Sequence, residues 1–553
     1  MLSCNTTLTL MLSSLNVPAA IVIAIATLLV LVLFHHRRAT SIRVAKGTRG
    51  LPPGPTMLPV IGNMHHMILN KPAVFRWIHS LLSDMSTDIL CLRFGATHVV
   101  VVSCPKIACE VLRKKDAMFT DRPATFASNL FSYGYKSASL TTLESQWKKM
   151  RRILSSEILS PALERTFHVQ RLQEADHLIR YVYGEIKATH GNGIINIRHV
   201  AQHFCGNLIR RLAFGKRYFG ESPAMLVGGP GHQEIEHVDA LFTLINYLYG
   251  FSVSDYFPAL VGLDLDGHGK VAKRVVRVLD RLHDPIIRER LNEWSSHGKG
   301  SSNSKRNAAD FLDVLVSLED ADGQQLLSFE EIKAQILEMM FATVDNPSNA
   351  VEWALAEMLN KPDIMKKAVD ELDAVVGKER LVQESDFCKL NYLKSCIREV
   401  FRIHPYHAFT VPRVASEDTT IAEYMVPKGT HVLVSRIGLG RNAKLWHEPL
   451  QFRPERHLND GEIDLTEPDL RFISFSTGRR GCPAVSLGTS IVLMMFARLL
   501  QAFTWEKPPG VDRINLQESH TSLTLAEPLV LLAKPRLAVH LYEANYRRSI
   551  CSE

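Results

Sequence analysis

Phe475-Ser-Thr-Gly-Arg-Arg-Gly-Cys482-Pro-Ala484 is the stretch whose reading decides the fold. Two glycines and two arginines surround one cysteine, and the chain then runs into an apolar, helix-like segment from Val485 to Phe503. A thiolate placed there lies near a helix N-terminus, where unpaired backbone N–H groups and the positive end of the helix dipole stabilise a negative sulfur. The pattern therefore predicts a metal ligand. Its plain alternative is a buried structural cysteine behind a glycine-rich loop.

The spacing Phe-x-x-Gly-x-Arg-x-Cys resembles the haem-binding loop of the cytochromes P450. The resemblance implies roles residue by residue: Cys482 as axial ligand of haem b, Arg480 as a propionate partner, Phe475 as the ring beside the sulfur, Gly478 as the tight-turn residue. Ala484 stands where that family usually has a closing glycine. A thiolate pushes electron density onto iron and favours O–O cleavage.

Outward from this loop, composition sets bounds. The chain has 553 residues, 46% hydrophobic and 22% charged, enough for a sizeable core, and one large α-rich domain is compatible with that length. A net charge of +7 is modest for this size and does not suggest nucleic-acid binding. Nine cysteines include no Cys-x-x-Cys pair, which argues against a zinc site and fits a reducing compartment.

Val17 to Phe34 is an uncharged run of 18 residues. At about 1.5 Å per residue it crosses a bilayer core of roughly 30 Å. Arg37, Arg38, Arg43, Lys46 and Arg49 follow, and no Lys or Arg precedes Val17. That asymmetry predicts a retained anchor over 17–34, a lumenal tail over 1–16 and a cytosolic globule, in place of a cleaved signal peptide. Asn5-Thr6-Thr7 fits a glycosylation sequon. The basic stretch and Leu51-Pro-Pro-Gly-Pro55 form a stop-transfer segment and stiff hinge over 35–55. The catalytic domain is expected over 56–546, with a tail over 547–553.

Ile89 to Phe94 and Val99 to Val102 read as a hairpin. Trp147 and Arg151 stand four apart on one helix face, where an indole N–H and a guanidinium can together hold a carboxylate, and the P450 resemblance implies that this pair reaches a haem propionate. Lys148, Lys149 and Arg152 offer a positive face to an acidic redox partner. Gly220 to Gly231 and Ser295 to Asn307 read as irregular tracts without nameable chemistry.

A second centre begins at Ser328. Ser328 with Glu331 predicts a capping box, and Leu327 with Ile332 its hydrophobic staple. From Ile336 to Val344 only Glu338 is charged, so this helix should run through the interior. Pro347 lacks an N–H and should open the helix beside Thr343. In the resembled family an acid and a threonine deliver protons to oxygen here. This chain keeps the acid as Asp345 but has Asn346 and Pro347 next. That departure, the run Asp345-Asn-Pro-Ser-Asn349 and the loop from Ser474 to Cys482 resemble the plant amino-acid N-monooxygenases that make aldoximes. Thr343, Asp345 and Asn346 are the implied catalytic residues.

Glu399 and Arg402 share a helix face, and the resemblance closes them with Arg456 of Phe452-Arg-Pro-Glu-Arg-His457 into a structural cluster. Pro405 to Arg413 would line the space above haem, with His407, Phe409 and Thr410 touching substrate and Arg413 a propionate. The branch usually has Pro-Phe-Asn where Ala408-Phe409-Thr410 stands. His404 and His407 are read as packed or hydrogen-bonded, not iron ligands.

The fold expected is mainly α, a triangular helical prism with a small β-rich subdomain and an N-terminal transmembrane helix. The implied reaction takes an L-amino acid, phenylalanine first, through two N-hydroxylations, dehydration and decarboxylation to its aldoxime. Dioxygen and NADPH would be co-substrates, the electrons arriving through a membrane-bound NADPH–cytochrome P450 reductase at the endoplasmic reticulum. This would be an early step toward cyanogenic glucosides, glucosinolates or volatile nitrogen compounds, with downstream enzymes as further partners. Phe126, Phe131 and Phe409 are the candidate pocket rings. The rival readings are a carbon-hydroxylating P450, an oxygen-independent haem-thiolate lyase or isomerase, and a non-catalytic haem sensor.

Overall fold

The computed structural model describes residues 49–142, 144–188, 193–220, 229–297, 308–458 and 461–543. The expected lumenal tail, the 17–34 anchor, Asn5 and the tail over 547–553 lie outside the described residues, as do most of the two irregular tracts.

Among the described residues helices dominate, with three small sheets beside them. Strands β1 (Ile89–Phe94), β2 (Thr97–Val102), β4 (Arg413–Val414) and β7 (His431–Val434) form the largest sheet, in the order β1-β2-β7-β4. β3 (Ile194–Asn196), β8 (Phe503–Glu506) and β9 (Val530–Pro535) form the second, and β5 (Thr419–Ile421) pairs with β6 (Tyr424–Val426). The expected hairpin is β1 with β2, antiparallel from Ile89 opposite Val102 to Phe94 opposite Thr97. Its valine run lacks polar alternation because both faces of the sheet are covered. Cys91, Val100, Val102, Val432 and Val434 face one apolar cluster. Leu90, Leu92, Val99, Val101 and Leu433 face another.

The proline-rich segment after the basic stretch is docked onto this sheet. The Cys91 N–H donates to the Pro53 carbonyl at 2.8 Å. A Cβ on Gly54 would stand 1.9 Å from the Cys91 carbonyl oxygen, so only glycine lets the backbones approach this closely.

The long helix Phe329–Leu359 is the axis of the main core. Ser328 and Glu331 make the reciprocal capping box at its start, with Leu327 and Ile332 buried behind them. Around it pack the helices Ile197–Phe214, His232–Leu248, Asn391–Ile403 and Val485–Ala502. Among the described residues Val485–Ala502 is the one helix long and apolar enough to cross a bilayer, and it is mostly buried inside the protein.

The helix does not break at Pro347, contrary to the sequence expectation; helical geometry runs unbroken from Phe329 to Leu359. Side chains supply hydrogen bonds along this stretch. Thr343 Oγ1 donates to the Met339 carbonyl at 2.8 Å, Asn346 Nδ2 to Ala342 at 3.3 Å, Ser348 Oγ to Val344 at 2.7 Å and Asn349 Nδ2 to Asp345 at 3.1 Å. Proline still deprives the Thr343 carbonyl of its usual donor four residues on.

Candidate active site

The Cys482 loop, the middle of Phe329–Leu359, the Pro405–Val411 segment and the helix Glu144–Ile153 enclose a cavity of about 260 Å³. Phe475 begins the loop and meets Phe401 edge-to-face at 6.0 Å between ring centres. The Gly481 N–H donates to Gly478 O at 2.9 Å and the Cys482 N–H to Phe475 O at 2.9 Å, closing the turn. Gly478 has φ +77°, and a Cβ there would lie 2.3 Å from the Leu112 carbonyl oxygen and 2.7 Å from Asp116 Oδ1. The loop therefore requires glycine at 478 on two independent grounds.

Cys482 carries accessible surface although protein surrounds it, because that surface opens into the cavity. Burial raises its thiol pKa above the ordinary value; the Ala484 backbone N–H and the charges of Arg151 and Arg436 work the other way. The sulfur thus has anion-stabilising partners that do not by themselves outweigh desolvation. A bound metal centre would supply the missing stabilisation.

Among the described residues five arginines line the cavity, Arg122, Arg151, Arg413, Arg436 and Arg480, against two acids, Glu338 and Asp345. Arg480 donates to the carbonyls of Thr120, Ala138 and Thr141 at 2.9–3.2 Å and lies 4.8 Å over the Trp147 ring. Arg151 donates to the Gly481 carbonyl at 2.7 Å, so it braces the cysteine loop directly. Arg413 is paired with Asp116 at 2.6 Å and reaches the Thr477 carbonyl at 3.2 Å. Arg122 donates to Ser139, Val411 and Pro412 carbonyls. Sequence reasoning missed Arg122 and Arg436, since neither stands at a telling spacing from the cysteine loop. Lys149, expected on the outer docking face, instead binds Glu331 at 2.8 Å and the Leu326 carbonyl at 3.1 Å, whereas Arg152 is exposed.

Glu399 sits at the centre of a buried cluster. It is bonded to Arg402 at 2.7 and 2.8 Å, to Arg456 at 3.0 Å, to the Arg453 N–H at 3.0 Å and to His457 Nε2 at 2.7 Å. Burial alone would raise the Glu399 pKa, but the hydrogen bonds from Arg402 and His457 win and hold it at about 2. His457 is the member that the sequence did not reveal.

Asp345 is buried and its pKa is raised by desolvation to about 7, opposed by the Asn349 amide bonded to its carboxylate. His407 Nε2 lies 3.5 Å from Asp345 Oδ2, and burial lowers the His407 pKa to about 3. A proton shared by this pair therefore resides on the Asp345 carboxyl group and not on His407. His404 stacks on Trp353 with centres 3.8 Å apart and lies 2.9 Å from Glu357, a packed histidine as expected.

A second cavity of about 270 Å³ adjoins the first. Ile245, Tyr249, Asp345, Tyr406, His407 and Thr410 border both and form the wall between them. Phe409 faces only the second cavity. Phe126 and Phe131 line neither: Phe131 is fully buried in the main core and Phe126 packs against it.

A profile of the cytochrome P450 family matches residues 52–533. The chain is a cytochrome P450. This P450 is 57% identical over 499 residues to a tyrosine N-monooxygenase of Sorghum bicolor, covering 90% of this chain and 88% of that one. It is 51% identical to valine N-monooxygenase 2 of Manihot esculenta, with 92% of each chain covered. It is 50% identical to a phenylalanine N-monooxygenase of Prunus mume, with 89% of this chain and 92% of that one covered. The P450 belongs to the amino-acid N-monooxygenase branch and is a monooxygenase that uses thiolate-ligated haem, dioxygen and NADPH-derived electrons. Its cavity fits that group: one sulfur, an apolar interior and an excess of arginines suited to a dicarboxylate porphyrin.

Proposed function

We propose that this P450 converts an aromatic L-amino acid, phenylalanine first, to its aldoxime by two N-hydroxylations, dehydration and decarboxylation. The observation that carries the reading is the cysteine-floored cavity beneath Asp345, in a chain whose curated relatives are amino-acid N-monooxygenases. In this reading Cys482 would supply the thiolate that holds the haem iron, and Trp147, Arg151, Arg413 and Arg480 would hold its propionates. Bound haem supplies oxygen activation.

The protein's own contribution is positioning and proton control. Ala342, Thr343 and Asn346 line the reaction side of the central helix. Asp345 keeps its proton up to about pH 7 and stands on the wall shared with the second cavity, able to pass a proton inward while His407 stays neutral. Phe75, Phe242, Tyr249, Phe251 and Phe409 give that second cavity an aromatic lining that suits a ring-bearing side chain. Tyrosine is the second reading, favoured by the Sorghum relative and by Gln202, Asn246 and Asp255 in the same lining.

Membrane placement belongs to the same proposal. The 17–34 anchor would hold the P450 in the endoplasmic reticulum with its globule cytosolic, facing the reductase. Ile68, Leu69, Leu263 and Leu265 are exposed by 51–78%, and their segments are tied by the Lys71–Asp266 ion pair, which supports an apolar patch resting on the bilayer.

The test is reconstitution with reductase and NADPH, each of the twenty L-amino acids offered in turn, and products read by mass. Aldoxime from an aromatic amino acid is expected. Hydroxylation at carbon only, or turnover independent of NADPH and dioxygen, would establish one of the rival chemistries. Asn346→Thr restores the residue common in the wider family, and we expect it to lower the fraction of NADPH electrons recovered in aldoxime about two- to tenfold, an effect of roughly 0.4–1.4 kcal/mol. Unchanged product and coupling would make Asn346 a spectator.

A further inference from the structure

The backbone of Pro405–Val411 runs antiparallel to the end of β7 in a short ladder. Phe409 is bridged to Ser435, the Thr410 N–H donates to Val434 O at 2.9 Å, and the Arg436 N–H donates to Ala408 O at 2.8 Å. Side chains alternate across such a ladder, so Phe409 and Ser435 share one face and Thr410 and Arg436 share the other. The first face is accounted for. His79 stacks on Phe409 at 5.2 Å and bonds Ser435 Oγ at 2.6 Å.

The second face carries unmet polar groups. Arg436 is 5% exposed and borders the cavity; its Nη2 donates to the Tyr406 hydroxyl at 2.5 Å, and its guanidinium lies 4.0 Å over that ring. Among the described residues nothing accepts from Arg436 Nε or Nη1, and nothing pairs with the hydroxyl of Thr410, which is 4% exposed and borders the same cavity. The other four cavity arginines each donate to backbone carbonyls or to a carboxylate. A guanidinium charge buried without an anion is costly, and free N–H donors beside a free hydroxyl match the acceptor oxygens of a carboxylate.

We propose that Arg436 and Thr410 form a carboxylate site in the cavity wall that holds the α-carboxylate of the substrate. The assignment rests on the amino-acid reading above. It gives the ladder a positioning role: one end of the amino acid is fixed so that its nitrogen is presented to the reacting centre.

The carboxylate of a porphyrin propionate has the same chemistry, and the experiment separates the two sources. Haem-loaded wild type, R436Q, R436K and T410V are titrated, by the haem absorption shift, with L-phenylalanine, with 3-phenylpropanoate and with 2-phenylethylamine, which lacks the carboxylate. Haem content is measured in each. The expected result is about 10- to 100-fold weaker binding of both acids to R436Q, partial recovery in R436K, a smaller loss in T410V, and unchanged amine binding and haem content throughout.

Loss of haem with parallel weakening of all three ligands would reassign the site to a propionate and overturn the substrate assignment. Equal weakening of acid and amine at full haem content, no weakening at all, or a change confined to the carbon monoxide spectrum would also overturn it. If R436Q does not fold, T410V carries the same acid-against-amine comparison. Failure of wild type to make any aldoxime would refute the amino-acid reaction while leaving the acid-against-amine difference to be read independently.

Discussion

Cys482→Ser is expected to give a protein of native helical content that lacks the thiolate-type carbon monoxide spectrum and has no measurable monooxygenase turnover. A serine hydroxyl is far less acidic than a thiol and is a hard oxygen donor where a soft anionic sulfur is needed. The change is small in volume, so the loop held by Gly478, Arg151 and Phe475 should survive it. The loss should therefore appear in the spectrum and in activity, while circular dichroism stays near wild type. A retained thiolate-type spectrum would mean that a different residue binds the metal.

Glu399→Ala is expected to act on the scaffold. Removing this carboxylate leaves Arg402, Arg456 and His457 facing one another in the interior, and breaking a buried ion pair in this way commonly costs about 3–5 kcal/mol. Arg402 also holds the Gly440 and Pro449 carbonyls at 2.5 and 2.8 Å, so the damage should spread along the segment toward Cys482. Low holoprotein yield and a lowered melting temperature should appear together, whereas Glu399→Gln should be milder because it keeps the shape. The same cluster sets an acid limit. A carboxylate held at about 2, against about 4.5 when free, contributes roughly 3 kcal/mol of stability that is fully present above about pH 4.5 and lost as pH falls toward 2. Unfolding followed against pH should show wild type losing stability across that window and Glu399→Gln losing less. Equal acid sensitivity would show that Glu399 is not the group responsible.

Much of this site was legible because its parts are local. The cysteine loop lies within ten residues, the Ser328 capping box within four, and Glu399 with Arg402 on one helical turn. Spacing alone can express such constraints. What escaped was set by segments distant in the chain. Phe126 and Phe131 are apolar rings whether they face a cavity or the core, and only packing sends them to the core. Lys149 reads as a surface charge until Glu331 arrives from the central helix. Pro347 predicts a break, yet four side chains along the surrounding turns bond back to carbonyls and the helix continues. Arg436 is one basic residue at a strand end until Pro405–Val411 is laid beside it.

The alternation along that ladder also limits how this chain can diverge. Exchanging the residue at 410 or 436 alters what a ligand meets and leaves the His79 packing behind it untouched, so selectivity can drift one side chain at a time. Inserting or deleting a single residue between 405 and 412 would exchange the faces of Phe409 and Thr410 together. Length in this segment is therefore under tighter constraint than identity, and descendants with new substrates should differ here by replacement, not by gaps.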